Sequence, residues 1–98
     1  MAFWVYILEC ADESYYVGHT DDIEKRVSEH ESGQLGGYTS TRRPVCVVFT
    51  EEFPSRAEAL AAELQIKGWS RKKKQALIQG DWGEVSRLAR RRTPFRGA

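Results

Sequence analysis

"WVYILECADESYYVGHT", residues 4–20, decides how the rest of the chain is read. Residues 3–10 (FWVYILEC) are apolar and rich in β-branched and aromatic side chains, the composition of a mostly buried strand. ADES is a polar turn and YYVGHT a second strand, so the pair predicts an antiparallel hairpin. Alternation puts Trp4, Tyr6 and Leu8 on one face and Val5 and Ile7 on the other. Tyr6 and Tyr16 then sit on neighbouring strands and face one pocket, while Tyr15 falls on the opposite face and packs. A core needs rings but not hydroxyls, which makes the two phenols candidate site residues. Gly18 inside a strand predicts a bulge, or a close approach of something else to the backbone.

Outward from the hairpin, Asp21 with Glu24 predicts a capping box that opens a helix. Ile23, Val27 and His30 form its apolar face, and Gly33 ends it. Arg26 and His30 share a side at i, i+4. Residues 33–44 (GQLGGYTSTRRP) read as a long loop closed by Pro44, and VCVVFT (45–50) as a third strand. A second helix is capped by Ser55 with Glu58, stopped at Gly68, and given Leu60, Ala61 and Leu64 as its apolar face. Glu63 and Lys67 repeat the i, i+4 spacing on it. SRKKKQALIQG is a short basic helix ending at Gly80. Asp81 and Glu84 open a last helix with Trp82, Val85, Leu88 and Ala89. The order β-β-α-β-α-α-α predicts one α/β (α+β) domain over 1–91: a small three-stranded antiparallel sheet flanked by helices. Residues 92–98 are a basic, frayed tail.

The 98 residues, 41% hydrophobic and 30% charged, suit one ordinary folded domain and not two. No apolar run approaches the roughly 18 residues of a membrane span. The first ten residues lack a basic region, so no signal peptide and a cytoplasmic location are expected. Cys10 and Cys46 show no metal-ligand spacing and read as small buried residues in a reducing compartment. The net charge of +1 hides an asymmetry. Residues 1–63 carry 5 Lys/Arg and 12 Asp/Glu, whereas residues 64–98 carry 10 and 2. That basic third is either a polyanion footprint or a solvated helical face.

Two phenols, a guanidinium, an imidazole and a carboxylate make a particular chemical set. Arginine matches phosphate with a planar fork. A lone carboxylate suffices for Mg²⁺, which keeps waters and takes substrate phosphate. Tyrosine or histidine would remove a proton from water. The set fits metal-assisted phosphodiester hydrolysis better than acyl transfer. Neither the paired carboxylates of glycosidases nor a phosphate-cradling glycine loop is present. A phenol of pKa about 10 is ionised to roughly one part in a thousand at pH 7, a cost of about 4 kcal/mol. Help must therefore come from Arg26, the metal or the second phenol, and the roles of Tyr6 and Tyr16 stay joint.

Over residues 2–82 this ordered set resembles the GIY-YIG nuclease superfamily, in its small stand-alone bacterial form. Val5-Tyr6-Ile7 stands at the first motif, with Tyr6 on the family's tyrosine, and Tyr16-Val17-Gly18 stands on Tyr-Ile-Gly. Arg26-x-x-x-His30 matches the helix motif, and Glu63 the metal-binding glutamate. GGYTSTRRP and AELQIKGWSRKKKQALI look like the small members. Trp4-Val5 replace the first glycine and isoleucine, and His19 stands where many members have lysine. The resemblance implies a DNA endonuclease, of repair or recombination type, using one Mg²⁺ or Mn²⁺ on Glu63 and no small-molecule cofactor. Tyr6, Tyr16, Arg26, His30 and Glu63 would be catalytic. Gly18, His19, Tyr38, Thr39, Arg42, Arg43, Lys67, Arg71, Lys72, Lys73 and Lys74 would meet nucleic acid, which could be single-stranded, flapped or branched. A monomer or weak dimer is expected. The alternative is a DNA-binding module of the same fold with little turnover.

Overall fold

A computed structural model describes residues 2–80. The expected last helix from Asp81, the domain's end at 91 and the tail 92–98 lie outside the described residues. Strands β1 (Phe3–Glu9) and β2 (Tyr15–Thr20) are followed by helix α1 (Ile23–Ser32), a 3₁₀ turn (Gly37–Thr39), β3 (Cys46–Phe53), α2 (Arg56–Lys67) and α3 (Arg71–Ile78). Among the described residues no helix is long and apolar enough to cross a membrane.

The three strands form one antiparallel sheet in the order β2-β1-β3. β1 is central because Val5, Tyr6, Ile7 and Leu8 are buried on both faces, which only an inner strand permits. Its even and odd positions divide the core. Val5 and Ile7 pack with Val17 under Ala59, Ala62 and Ile66 of α2, together with Trp69, Ala76 and Leu77. Tyr6, Leu8 and Cys10 pack with Val45 under Ile23 and Val27 of α1, with Tyr16 alongside. The result is a sheet between two helical layers, and the expected α+β class holds.

Local differences have local causes. Asp22, not Asp21, caps α1: its Oδ1 accepts from Lys25 N–H at 3.1 Å. Asp21 instead meets Arg56 at 3.4 Å. With lysine three residues after the cap, no capping box forms. β3 runs on to Phe53 because β1 offers ladder partners as far as Phe3, past a register shift at Ile7/Leu8. Cys10 is buried but Cys46 is exposed, and both thiols are free. The buried face of α2 is not the expected stripe of Leu60, Ala61 and Leu64. Leu60 and Leu64 are 39% and 60% exposed, whereas Ala59, Ala62, Glu63 and Ile66 are buried. Both stripes have helical spacing. The one with small residues lets α2 lie closely on a sheet face already filled by Val5, Ile7 and Val17.

Gly18 pairs directly with Tyr6, and the β1–β2 register passes through it without a bulge. A Cβ on Gly18 would lie 2.5 Å from Tyr6 Oη and 2.7 Å from Cζ. The glycine therefore makes room for the Tyr6 ring, which lies across β2. Neither a bulge nor an outside molecule is needed to explain it.

Two stability predictions follow from this packing. Gly18→Ala must displace a buried ring and should lower stability by about 1–3 kcal/mol, the overpacking range. Ile66→Ala should lose about 2–5 kcal/mol and Leu64→Ala no more than about 0.5. Urea titrations check all three, and a larger loss for Leu64→Ala than for Ile66→Ala would reverse the assigned face of α2.

Candidate active site

Tyr6 projects from the centre of the sheet toward α1, and its Oη lies 2.9 Å from His30 Nε2. His30 is on the inner side of the last full turn of α1, 3% exposed. Its other ring nitrogen lies 2.8 Å from Thr39 Oγ1. Tyr16 packs beside both, with ring centroids 4.9 Å from His30 and 6.3 Å from Tyr6. Unlike Tyr6, Tyr16 is partly exposed. Arg26, one turn before His30, is half-buried and meets Glu29 at 3.4 Å. Its charge is felt by both Tyr6 and His30.

The remaining candidates occupy the other face. His19 pairs with Val5, so alternation turns it toward α2. There its Nδ1 lies 2.6 Å from Glu63 Oε1, while Lys67 Nζ donates to Oε2 at 2.8 Å. The five expected catalytic residues thus form two groups, one on each side of β2. That strand is an edge of the sheet, so the groups approach around it, and the Glu63 charge still reaches Tyr6. A cleft of about 420 Å³ lined by Ile23, Glu24, Val27, Ser28, Glu31 and Val47 contains none of them.

Electrostatics distinguishes the groups. Burial, with Tyr16 alongside, pushes the Tyr6 phenol well above its ordinary value, against a pull from Arg26. Burial and Arg26 hold the His30 imidazole below its usual range, so it is neutral at pH 7. Burial works against the charge on Glu63. Hydrogen bonds from Lys67 and His19 outweigh it and keep the carboxyl below its usual range.

Several expected nucleic-acid contacts have other surroundings. Thr39 is 2% exposed behind His30 and closed to a large ligand. Arg42 donates to Asp12 at 3.0 Å and to Tyr38 O at 2.8 Å, with its guanidinium 3.9 Å from the Tyr38 ring centroid. Arg43 donates to Ser40 O and Ser32 O at 3.0 and 3.1 Å. These arginines fasten the 33–44 loop, where backbone carbonyls need donors, and are not free arms. Tyr38 is exposed, 6.2 Å from Tyr16 between ring centroids. On α3, positions 73, 76 and 77 face the core. Lys73 is therefore 3% exposed, its Nζ 3.9 Å from the Trp69 ring centroid. Lys72 and Arg71 are exposed and Lys74 partly so, with Arg71 4.5 Å over the Tyr15 ring.

Sequence reasoning missed two contacts. The His19–Glu63 pair was accessible in principle, since the hairpin register puts His19 beside Val5 on the α2 side. The Thr39–His30 bond had no sequence signal, because an irregular loop delivers it. Among the described residues no cluster of three or more His, Cys, Asp or Glu forms a metal cage. One ionised carboxylate nonetheless fits Mg²⁺ in its single-carboxylate mode. Rotation of the exposed Lys67 side chain would free one Glu63 oxygen.

The matching family model is described as the GIY-YIG catalytic domain and covers residues 2–76. A UPF0213 protein of Natronomonas pharaonis is 45% identical over 80 residues, 82% of this chain and 94% of that one. Another, from Staphylococcus saprophyticus, is 48% identical over 75 residues, 76% and 92% of the two chains. The solution structure of the UPF0213 protein BH0048 from Bacillus halodurans aligns with a TM-score of 0.54 at 38% identity, over 97% of this chain and all of that one. By this match over three quarters of its length, and by relatives whose own lengths it nearly spans, the chain belongs to the GIY-YIG catalytic domain family, a family of the nuclease superfamily.

Proposed function

We propose that the chain is a divalent-metal-dependent endonuclease hydrolysing DNA phosphodiester bonds, with single-stranded, flapped or branched DNA as preferred substrate. The observation that carries this reading is the packing of both phenols, a neutral imidazole and a half-buried arginine on one side of β2, with an ionised carboxylate on the other. Arg26 would neutralise charge developing on the phosphate. Tyr6, whose environment keeps it protonated, would donate a hydrogen bond. The partly exposed Tyr16 is better placed to take a proton from water. Glu63 would hold Mg²⁺ or Mn²⁺, and a bound ion supplies charge stabilisation at the phosphate and leaving oxygens. His19 contacts that carboxylate, so it would steady Glu63 rather than meet the phosphate as the usual lysine is expected to. Arg71, Lys72 and Lys74 would track the DNA backbone. A monomeric or weakly dimeric protein acting in the cytoplasm, in repair or recombination, is part of the same proposal.

One observation favours the second reading, a binding module with little turnover. Both Glu63 oxygens already have cationic or proton-donating partners, so the carboxylate is neutralised without a metal. Glu63→Gln separates the readings. Cleavage of labelled single-stranded DNA in Mg²⁺ should fall at least about a hundredfold while affinity in EDTA changes little. Parent protein that binds but does not cut single-stranded, duplex or branched DNA with either ion would leave the binding module standing.

Arg26→Lys keeps the charge but loses the fork. Its kcat should drop while the dissociation constant stays within about twofold, and an unchanged rate would remove Arg26 from the phosphate. Three tracking side chains predict a slope of roughly −2 for log affinity against log salt on single strands. Lys72→Glu should flatten that slope, and Lys73→Met, at a buried position, should leave it as it was. Flattening by Lys73→Met alone would contradict the assigned surface of α3.

A further inference from the structure

Tyr38 keeps an aromatic ring at the surface beside a residue that is almost fully buried. It is 42% exposed, whereas Thr39 is 2% exposed and bonded to His30. The 3₁₀ turn Gly37–Thr39 thus sends one side chain inward and its neighbour outward. The exposed ring is nonetheless held. The Arg42 guanidinium lies 3.9 Å from its centroid, and is itself fixed by Asp12 at 3.0 Å and by Tyr38 O at 2.8 Å. Such a contact steadies a ring from one face. With 42% of the residue still in solvent, the rest of the ring is open to be covered. A side chain at Gly36 or Gly37 would meet nothing within 4 Å, so the space beside the turn is open as well.

The ring also stands at the end of a row. Tyr16 lies 6.2 Å from it between centroids, and the next neighbours of Tyr16 are His30 at 4.9 Å and Tyr6 at 6.3 Å. Aromatic rings therefore lead from the surface to the buried phenol. Bases along a strand repeat every 3.4 Å or so, and a ring inserted between two others needs twice that, about 6.8 Å. The 6.2 Å separation and 31° tilt of Tyr38 and Tyr16 leave no room for one. An incoming ring has to stack on the open surface of Tyr38, at the outer end of the row.

We propose that Tyr38 is a base-stacking platform: it takes one unpaired nucleobase on its open surface and so sets where a single strand lies relative to Tyr16. The choice of DNA as ligand rests on the nuclease reading, which this inference deepens. A base is favoured over an apolar side chain of another protein because the surface is one flat ring, backed by a cation and continuous with the candidate active site. Every base has a π-face, so the contact is indifferent to sequence. A paired base has both faces covered by its neighbours, so the platform selects unpaired nucleotides. Arg42 serves this contact indirectly, since its charge is paired with Asp12 and its plane holds the ring.

The test is made on the full chain in EDTA, where binding is read without cleavage, with a short oligothymidylate and an abasic strand of equal length. Parent protein should bind the oligothymidylate more tightly than the abasic strand. Tyr38→Ala should weaken oligothymidylate binding roughly tenfold and abasic binding far less, so that most of the gap closes. Its slope of log affinity against log salt should match the parent's, because stacking releases no counterions. Tyr38→Phe keeps the ring and should keep the gap. Equal affinity of parent protein for the two strands overturns the proposal, even if the alanine variant fails to fold. An equal loss on both strands in Tyr38→Ala, or a flattened salt slope, overturns it as well. Tyr38→Phe behaving like Tyr38→Ala would assign the contact to the hydroxyl and overturn it too. A gap that closes in Tyr38→Ala, when the parent cuts no DNA, would uphold the platform and remove the nuclease reading. Single-strand cleavage by a protein whose gap Tyr38→Ala leaves open would keep that reading and remove the platform.

Discussion

The Tyr6 ring lying across Gly18 is the constraint on which the site depends. It requires a strand pairing in which position 18 falls opposite position 6, and a residue there with no side chain. The ring's far end then reaches His30, and through it the loop that carries Thr39. Shifting the hairpin by one residue would send His19 or Val17 under the ring and turn Tyr16 to the opposite face. One contact therefore ties together the register of the sheet, the rotation of α1 and the path of the 33–44 loop.

β2 matters because it is an edge. In the middle of a sheet, groups on opposite faces are separated by a neighbouring strand. At the edge they approach one another around the backbone. The phenol-imidazole group and the Glu63 group use opposite faces of β2, yet the Glu63 charge is felt at Tyr6. This arrangement gives the two groups different environments within a small domain. One holds a buried hydroxyl and an imidazole kept uncharged, with the Arg26 charge beside them. The other is ionic, with a carboxylate held in its charged form by Lys67 and His19.

Basic residues sort in the same way, by what surrounds them and not by their type. Arg42 and Arg43 satisfy loop carbonyls, Lys73 lies against Trp69, and Lys72 faces solvent. A run of four cations in sequence thus offers fewer than four to a polyanion, because a helix that packs must turn one of every three or four residues inward.

What the sequence determined by itself was periodic or local. The alternation of residues 4–8 placed Tyr6 and Val5 on opposite faces, and Gly33, Ser55 and Gly68 bounded their helices through caps that need only neighbouring residues. The order of tyrosines, arginine, histidine and glutamate pointed to the GIY-YIG family, which the comparisons bear out. Tertiary structure decided whatever depended on choosing between equivalent local options. On α2 two apolar stripes compete, and only the filled sheet face selects the one with small residues over Leu60 and Leu64. At Gly18 the missing side chain explains itself only once the Tyr6 ring is above it. Thr39 stands in a loop without periodicity, and its bond to His30 arises from packing between segments far apart in the register of any helix or strand. Local rules fix how each segment is shaped; the close approach of non-local segments fixes which hydroxyl meets which ring.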